Sequence, residues 1–252
     1  MRYQYLRNPA AQQTIVFLHG WCCKPDDFRF QVDYFKQNYS LLMPNYSDLV
    51  INAKAGPESW FQYCAAALQD CIEEAQLQDF YLIGHSMGGV MALRLAELMQ
   101  NQQRGCVIID TTLPLPPTSK ALAFVEALDK PKGLNLLRQT INQAMINHQY
   151  DDQVVMVQVE AGMSAIWRKA PKAFSKLLKE AMQYDKLIAL QNLSSKVLYI
   201  GGTPSRGDEQ AMQQANPNVQ FEQLRAGHFV MLNAPDATNV LLDKFFSKNA
   251  SS

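Results

Sequence analysis

The run Phe80-Tyr81-Leu82-Ile83-Gly84-His85-Ser86-Met87-Gly88-Gly89, continuing through Val90 to Leu98, decides the fold. Its first four residues are large and apolar, as in a strand buried on both faces. After Gly89, apolar residues recur at three- and four-residue spacing, the mark of an amphipathic helix. Between the two, Ser86 stands with Gly84 before it and Gly88 after it. A strand that turns sharply into a helix brings its end against the first helical turn, and residues without a Cβ leave room there. Such a turn holds the Ser86 Oγ at the head of a sheet. It also sets the serine at a helix N-terminus, where backbone N–H groups and the positive end of the dipole face any developing negative charge.

Outward from this turn, short runs rich in Val, Ile, Leu, Phe and Tyr alternate with amphipathic stretches, which predicts a mostly parallel sheet covered by helices. The expected strands are Thr14 to Leu18, Leu41 to Pro44, Phe80 to Gly84, Cys106 to Asp110, Lys196 to Ile200 and Val219 to Leu224, with Arg2 to Leu6 at an edge. Glu58 to Ala75, Met87 to Gln100 and Asp236 to Phe246 read as covering helices. From Leu113 to about Lys186 no strand-like run occurs. The prolines Pro114, Pro116 and Pro117 open that interval, and helical patterns follow in Ser119 to Leu128, Leu134 to Ile146, Asp151 to Trp167 and Pro171 to Tyr184. The expectation is therefore one α/β core in two parts, residues 1–112 and 187–252. Residues 113–186 form an inserted helical lid over the carboxyl edge of the sheet, where open α/β sheets place their ligands.

Composition excludes other classes. The 252 residues carry 23 Lys+Arg against 23 Asp+Glu, so there is no global basic field to hold a phosphate backbone, and nucleic acid is not an expected partner. No apolar run approaches the length of a membrane span or a signal peptide, so the protein is read as soluble, not bound to a membrane, and cytoplasmic. Five cysteines (Cys22, Cys23, Cys64, Cys71 and Cys106) form no C-x-x-C pair and are expected as reduced thiols; no Cys/His cluster has metal-ligand spacing.

A serine nucleophile needs a base within hydrogen-bond reach and a carboxylate to orient that base. There are four histidines. His85 adjoins Ser86 but points elsewhere on a sharp turn, His19 sits at a strand end and shapes its loop, and His148 lies in the polar run Asn147-His148-Gln149. His228 follows Gly227 after the last expected strand, from which it can reach over the sheet edge to Ser86.

The whole pattern resembles the α/β-hydrolase superfamily, in particular the small lidded carboxylesterases and C–C-bond hydrolases. Phe17-Leu18-His19-Gly20-Trp21 is similar to that family's oxyanion loop, Gly84 to Gly89 to its nucleophile elbow, and Gly227-His228-Phe229 to its catalytic-histidine segment. The resemblance implies an α/β-hydrolase fold without cofactor or metal, with Ser86 as nucleophile, His228 as base, and the backbone N–H groups of Trp21 and Met87 as oxyanion donors. The acid departs from the family pattern. Its usual place, a few residues beyond Val197 to Ile200, reads Gly201-Gly202-Thr203-Pro204-Ser205-Arg206-Gly207-Asp208, with no carboxylate near Pro204. Asp208 remains a candidate, although it is equally placed to cap a helix over Glu209 to Ala215. Asp110 is the other: it ends a wholly apolar strand, where an unpaired carboxylate is costly, and some members of the superfamily take their acid from that position. Pro44-Asn45-Tyr46-Ser47-Asp48 also departs, since the family has a Gly-rich loop with an Asp directly after the proline.

The lid residues Phe124, Leu136, Leu137, Met145, Met156, Met163, Trp167, Phe174 and Met182 are read mainly as packing, with the surplus of Met and Trp suited to a deformable apolar pocket. The expected function is serine hydrolysis of carboxylic esters with apolar acyl or aryl groups, a small-molecule ester being the partner. Rival readings on the same fold are hydrolysis of a C–C bond in a vinylogous diketone and non-catalytic ligand binding. Arg168, Lys172, Lys176 and Lys179 share one face of an expected helix. That face is read as solvated, with docking of acyl carrier protein as a side reading.

Overall fold

The computed structural model describes residues 1–250. Seven strands, β1 (Arg2–Leu6), β2 (Thr14–Leu18), β3 (Ser40–Asn45), β4 (Phe80–His85), β5 (Gln103–Ile109), β6 (Lys196–Gly201) and β7 (Val219–Gln223), form one sheet in the order β1-β3-β2-β4-β5-β6-β7. β1 runs antiparallel to β3; all other neighbours are parallel. Every residue of β2 and β4 is buried, whereas the outer strand β1 is largely exposed. Each large apolar side chain removed from water in this way contributes roughly 1.5–3 kcal/mol.

The helices among the described residues are α1 (Arg29–Phe35), α2 (Tyr46–Asn52), α3 (Trp60–Glu74), α4 (Met87–Leu98), α5 (Ser119–Leu128), α6 (Gly133–Thr140), α7 (Gln153–Trp167), α8 (Pro171–Gln183), α9 (Lys186–Asn192), α10 (Glu209–Ala215), α11 (Val230–Asn233) and α12 (Pro235–Ala250). They cover both faces of the sheet. Gly105 lies against the ring of Phe245 in α12, while Ile108 lies against Gly89 in α4. Residues an odd number apart on a strand point to opposite faces, so α4 and α12 sandwich β5. α5 to α9 lie between β5 and β6, and α5 to α8 make up the insertion expected as a lid.

Several boundaries differ from the sequence reading, for local reasons. Asp110 is not the last residue of β5: at φ 43° it has left the strand in a left-handed conformation. The expected helix Leu134 to Ile146 stops at Thr140 and continues as a wider π turn, Ile141–Met145. The segment after Pro44 is helical: the Asn45 side chain accepts the Asp48 N–H (3.1 Å) and caps α2, whose Tyr46 and Val50 are buried. α9 is capped in the same way by Asp185, which accepts the Ile188 N–H (3.0 Å). Asp208 does cap α10, accepting the Ala211 N–H (2.9 Å).

The turn from β4 into α4 shows why its glycines are required. A Cβ at Gly84 would collide with the backbone of Gly88, and one at Gly88 with the carbonyls of Leu18 and His19. Ser86 takes φ 55°, ψ −120°, and its side chain does not cap α4. The hydroxyl is thereby left for whatever approaches the sheet edge.

Candidate active site

In a parallel sheet the carboxyl ends of all strands lie at one edge, so the loops after β4, β5 and β7 converge. Ser86 enters from the first, Asp110 from the second and His228 from the third. The Ser86 Oγ lies 2.9 Å from His228 Nε2, and His228 Nδ1 lies 2.7 Å from Asp110 Oδ2. Since a carboxylate only accepts, Nδ1 carries the proton, and Nε2 is free to accept from the serine hydroxyl. Asp208, by contrast, is committed to its helix cap.

Asp110 is 1% exposed, and its charge is met on several sides. It accepts the Gly202 N–H (2.9 Å) and the Arg206 Nε–H (3.1 Å) in addition to His228. Burial opposes its charge, but the hydrogen bond from His228, the Gly202 amide and the Arg206 guanidinium together hold its carboxyl below the ordinary value. Burial, and then the Arg206 charge, push the His228 imidazole below its ordinary value despite Asp110. A neutral imidazole beside an ionised carboxylate is the state in which the pair can take a proton.

Two of the remaining histidines hold the frame. His85 is fully buried, its Nε2 donating to the His228 carbonyl (3.0 Å), and burial together with the adjacent His228 drives its pKa far down. His19 stacks on Tyr46 with ring centroids 3.9 Å apart; burial pushes its pKa down to about 4. His148 is on the outside of the lid, within reach of the Asn142 carbonyl (3.2 Å). Thr111 donates to the Ser86 carbonyl (2.8 Å), and Tyr199 in turn donates to the Thr111 carbonyl (2.8 Å). Among the described residues, the backbone N–H groups of Trp21 and Met87 have no acceptor within the protein.

The lid is stitched to the loop that carries His228 and to the loop after β6, whose Gly202 and Arg206 hold Asp110. The His228 N–H donates to the Met145 carbonyl (2.8 Å), the Gly227 N–H to the Asp151 carboxylate (2.6 Å), and Asn147 Nδ2 to the Thr203 carbonyl (2.7 Å). Arg206, while holding Asp110, also donates to the Ala144 carbonyl (2.5 Å). On the other side, the Trp21 indole donates to the Phe174 carbonyl in α8 (2.7 Å). Arg206, Asp151 and Asn147 were not singled out in the sequence. The available signal was the cation at Arg206, four residues past Gly202 in the segment that lacks the family's usual acid.

Ser86 and His228 open onto a cavity of about 60 Å³ walled by Trp21, Cys23, Phe124, Met145, Met163 and Leu178. Leu177, Phe174 and Trp167, by contrast, are packed in the core. Lys176 pairs with Glu180 and donates to the Glu58 carbonyl, and Lys179 pairs with Glu126; Arg168 and Lys172 are exposed. Among the described residues no group of His, Cys, Asp and Glu could hold a metal ion, and no helix is long and apolar enough to cross a membrane. The cysteines carry free, buried thiols.

Comparison with known proteins places these features in context. The model of a family described as "Alpha/beta hydrolase family" matches residues 15–240. The chain is 22% identical to a putative esterase/lipase of Haemophilus influenzae, covering 99% of this chain and 89% of that one. It is 23% identical to an abhydrolase domain-containing protein of Schizosaccharomyces pombe, covering 96% of this chain and 72% of that one. Among solved structures it superposes on MenH from S. aureus with a TM-score of 0.80 at 17% identity, covering 98% of both chains. On an enol-lactonase from Burkholderia xenovorans the TM-score is 0.79 at 14% identity, covering 98% of this chain and 96% of that one.

Proposed function

This chain belongs to the alpha/beta hydrolase family, and on that footing we propose that it hydrolyses carboxylic esters through an acyl-enzyme on Ser86. The observation that carries the reading is the unbroken hydrogen-bonded chain from Asp110 through His228 to Ser86, beneath a lid tied to the loop of His228 and to that of Arg206. The esterase/lipase relative agrees with it in reaction class.

In this reading His228 Nε2 takes the Ser86 proton as Oγ attacks the ester carbonyl. Asp110 keeps the Nδ1–H tautomer and stabilises the imidazolium that forms; general-base action of this kind contributes roughly 10²–10⁴-fold. The Trp21 and Met87 N–H groups receive the oxyanion, each such donor being worth roughly 10²–10³ in kcat. His228 then returns the proton to the departing alcohol, and a water activated by the same nitrogen releases the acid. His85 serves the step indirectly, since its Nε2–H fixes the carbonyl of His228.

Two measurements test this. A fluorophosphonate probe should label the wild type at Ser86 and leave Ser86→Ala unlabelled; no labelling, or equal labelling of both, contradicts the reading and favours a non-catalytic binding protein. The pH profile of kcat/KM gives a second check. Only neutral His228 acts as base, and its pKa lies below the ordinary 6.5, so activity rises with pH through a midpoint below 6.5 and is flat above it. The Arg206 charge contributes to that lowering. Arg206→Gln should therefore move the midpoint to higher pH, and a midpoint that stays or falls would remove Arg206 from this role.

A further inference from the structure

The cavity at Ser86 is too small for much of a substrate. At about 60 Å³ it is less than half of the roughly 150 Å³ in which an apolar protein cavity holds benzene. A second cavity of about 270 Å³ lies beside it under α7, and Cys23 and Met163 line both. Only those two side chains are common to the two spaces, so they form the partition. Met163 is an unbranched thioether with several rotatable bonds, suited to shifting aside for a slender group.

The wall of the second cavity contains Gly162, in the interior of α7. Glycine is among the least helix-favouring residues, and packing does not require one here: a Cβ at Gly162 would meet nothing within 4 Å. What the missing side chain achieves is open space. The charged side chains at the other end of the cavity balance in number, with the cations Lys24 and Arg29 beside the carboxylates Asp26 and Asp27. Lys24 pairs with Asp26 (3.1 Å), Asp27 accepts the Lys24 N–H (3.2 Å), and Arg29 lies 4.7 Å from the centre of the Phe30 ring. This end therefore carries no net charge to call for an ionic ligand, and the apolar residues Val155, Val159 and Ile166 of α7 face the space.

We infer that the second cavity is the distal half of the substrate site. It takes the far end of an unbranched, neutral acyl chain that passes between Cys23 and Met163, with Met163 as the specificity-determining residue and Gly162 keeping the space open. This rests on ester hydrolysis at Ser86 and narrows it to linear acyl esters longer than the inner cavity alone can hold.

The test is a series of p-nitrophenyl esters from acetyl to octanoyl, together with a branched acyl ester. Each methylene excluded from an apolar site costs roughly fourfold in affinity. Gly162→Leu, whose side chain projects into the second cavity, should lower the octanoyl-to-acetyl ratio of kcat/KM by at least about tenfold. Met163→Ala, which removes the partition, should raise the branched-to-linear ratio. Melting curves establish that each variant is folded; if Gly162→Leu is not, Met163→Ala decides alone. A folded Gly162→Leu protein with the wild-type ratio, or Met163→Ala with no gain on the branched ester, overturns the inference. Fluorophosphonate labelling separates the two levels. Labelled Ser86 with unmoved ratios removes only this inference, whereas absent labelling and absent turnover remove both.

Discussion

On the proposed mechanism, Ser86→Ala should give a folded protein whose ester hydrolysis is reduced by roughly 10⁴- to 10⁶-fold. The loss is confined to chemistry because the hydroxyl plays no structural part. It caps no helix, and its hydrogen bond is to His228. The conformation at φ 55° is set by the close approach of Gly84 and Gly88, and alanine experiences the same strain there as serine. The melting temperature should therefore stay close to wild type while p-nitrophenyl ester turnover falls to the level supplied by the oxyanion donors and the pocket. A variant retaining a tenth or more of the activity would mean, on the scale of triad deletions, that another group attacks the ester.

Asp110→Asn is expected to lower kcat by roughly 10⁴-fold, the scale at which a wrong imidazole tautomer disables a serine–histidine pair. An asparagine side chain can donate to Nδ1, which would turn the Nε2 proton toward Ser86 and leave no base. The substitution also removes the carboxylate that balances Arg206 at 3.1 Å. Asp208→Asn is the natural comparison. Asparagine caps a helix about as well as aspartate, so this variant should keep near-wild-type activity and stability. If Asp208→Asn were the disabled one and Asp110→Asn active, the acid would have been assigned to the wrong loop.

How much of this was legible in the sequence follows from what each residue has to satisfy. The β4–α4 turn could be read because only glycine survives where Gly84 and Gly88 approach other backbone. The buried strands could be read because they are apolar on both faces. The short helices α2 and α9 could not: Asn45 and Asp185 are turn formers in isolation and become caps only when the helix behind them buries Tyr46 and Val50, or Ala189 and Leu190. At the site, the cost of burying a carboxylate pointed to Asp110, but its partners come from residues 92 and 96 positions further along the chain, Gly202 and Arg206. No local pattern announces them. The lid's attachment was equally hidden. The expected helix ran on to Ile146, and the π turn that ends it at Met145 is what presents the Ala144 and Met145 carbonyls to Arg206 and to the His228 amide. Gly162 shows the opposite case, visible as a weak helix residue yet without meaning until the space beside it is seen.

The proposed catalysis depends on a proton shared between the serine hydroxyl and His228. The rate of fluorophosphonate labelling, followed against pH and mapped to the peptide bearing Ser86, measures that sharing directly. Wild type should titrate with a midpoint below pH 6.5, and His228→Gln should react slowly at every pH. Labelling of His228→Gln at the wild-type rate would contradict it.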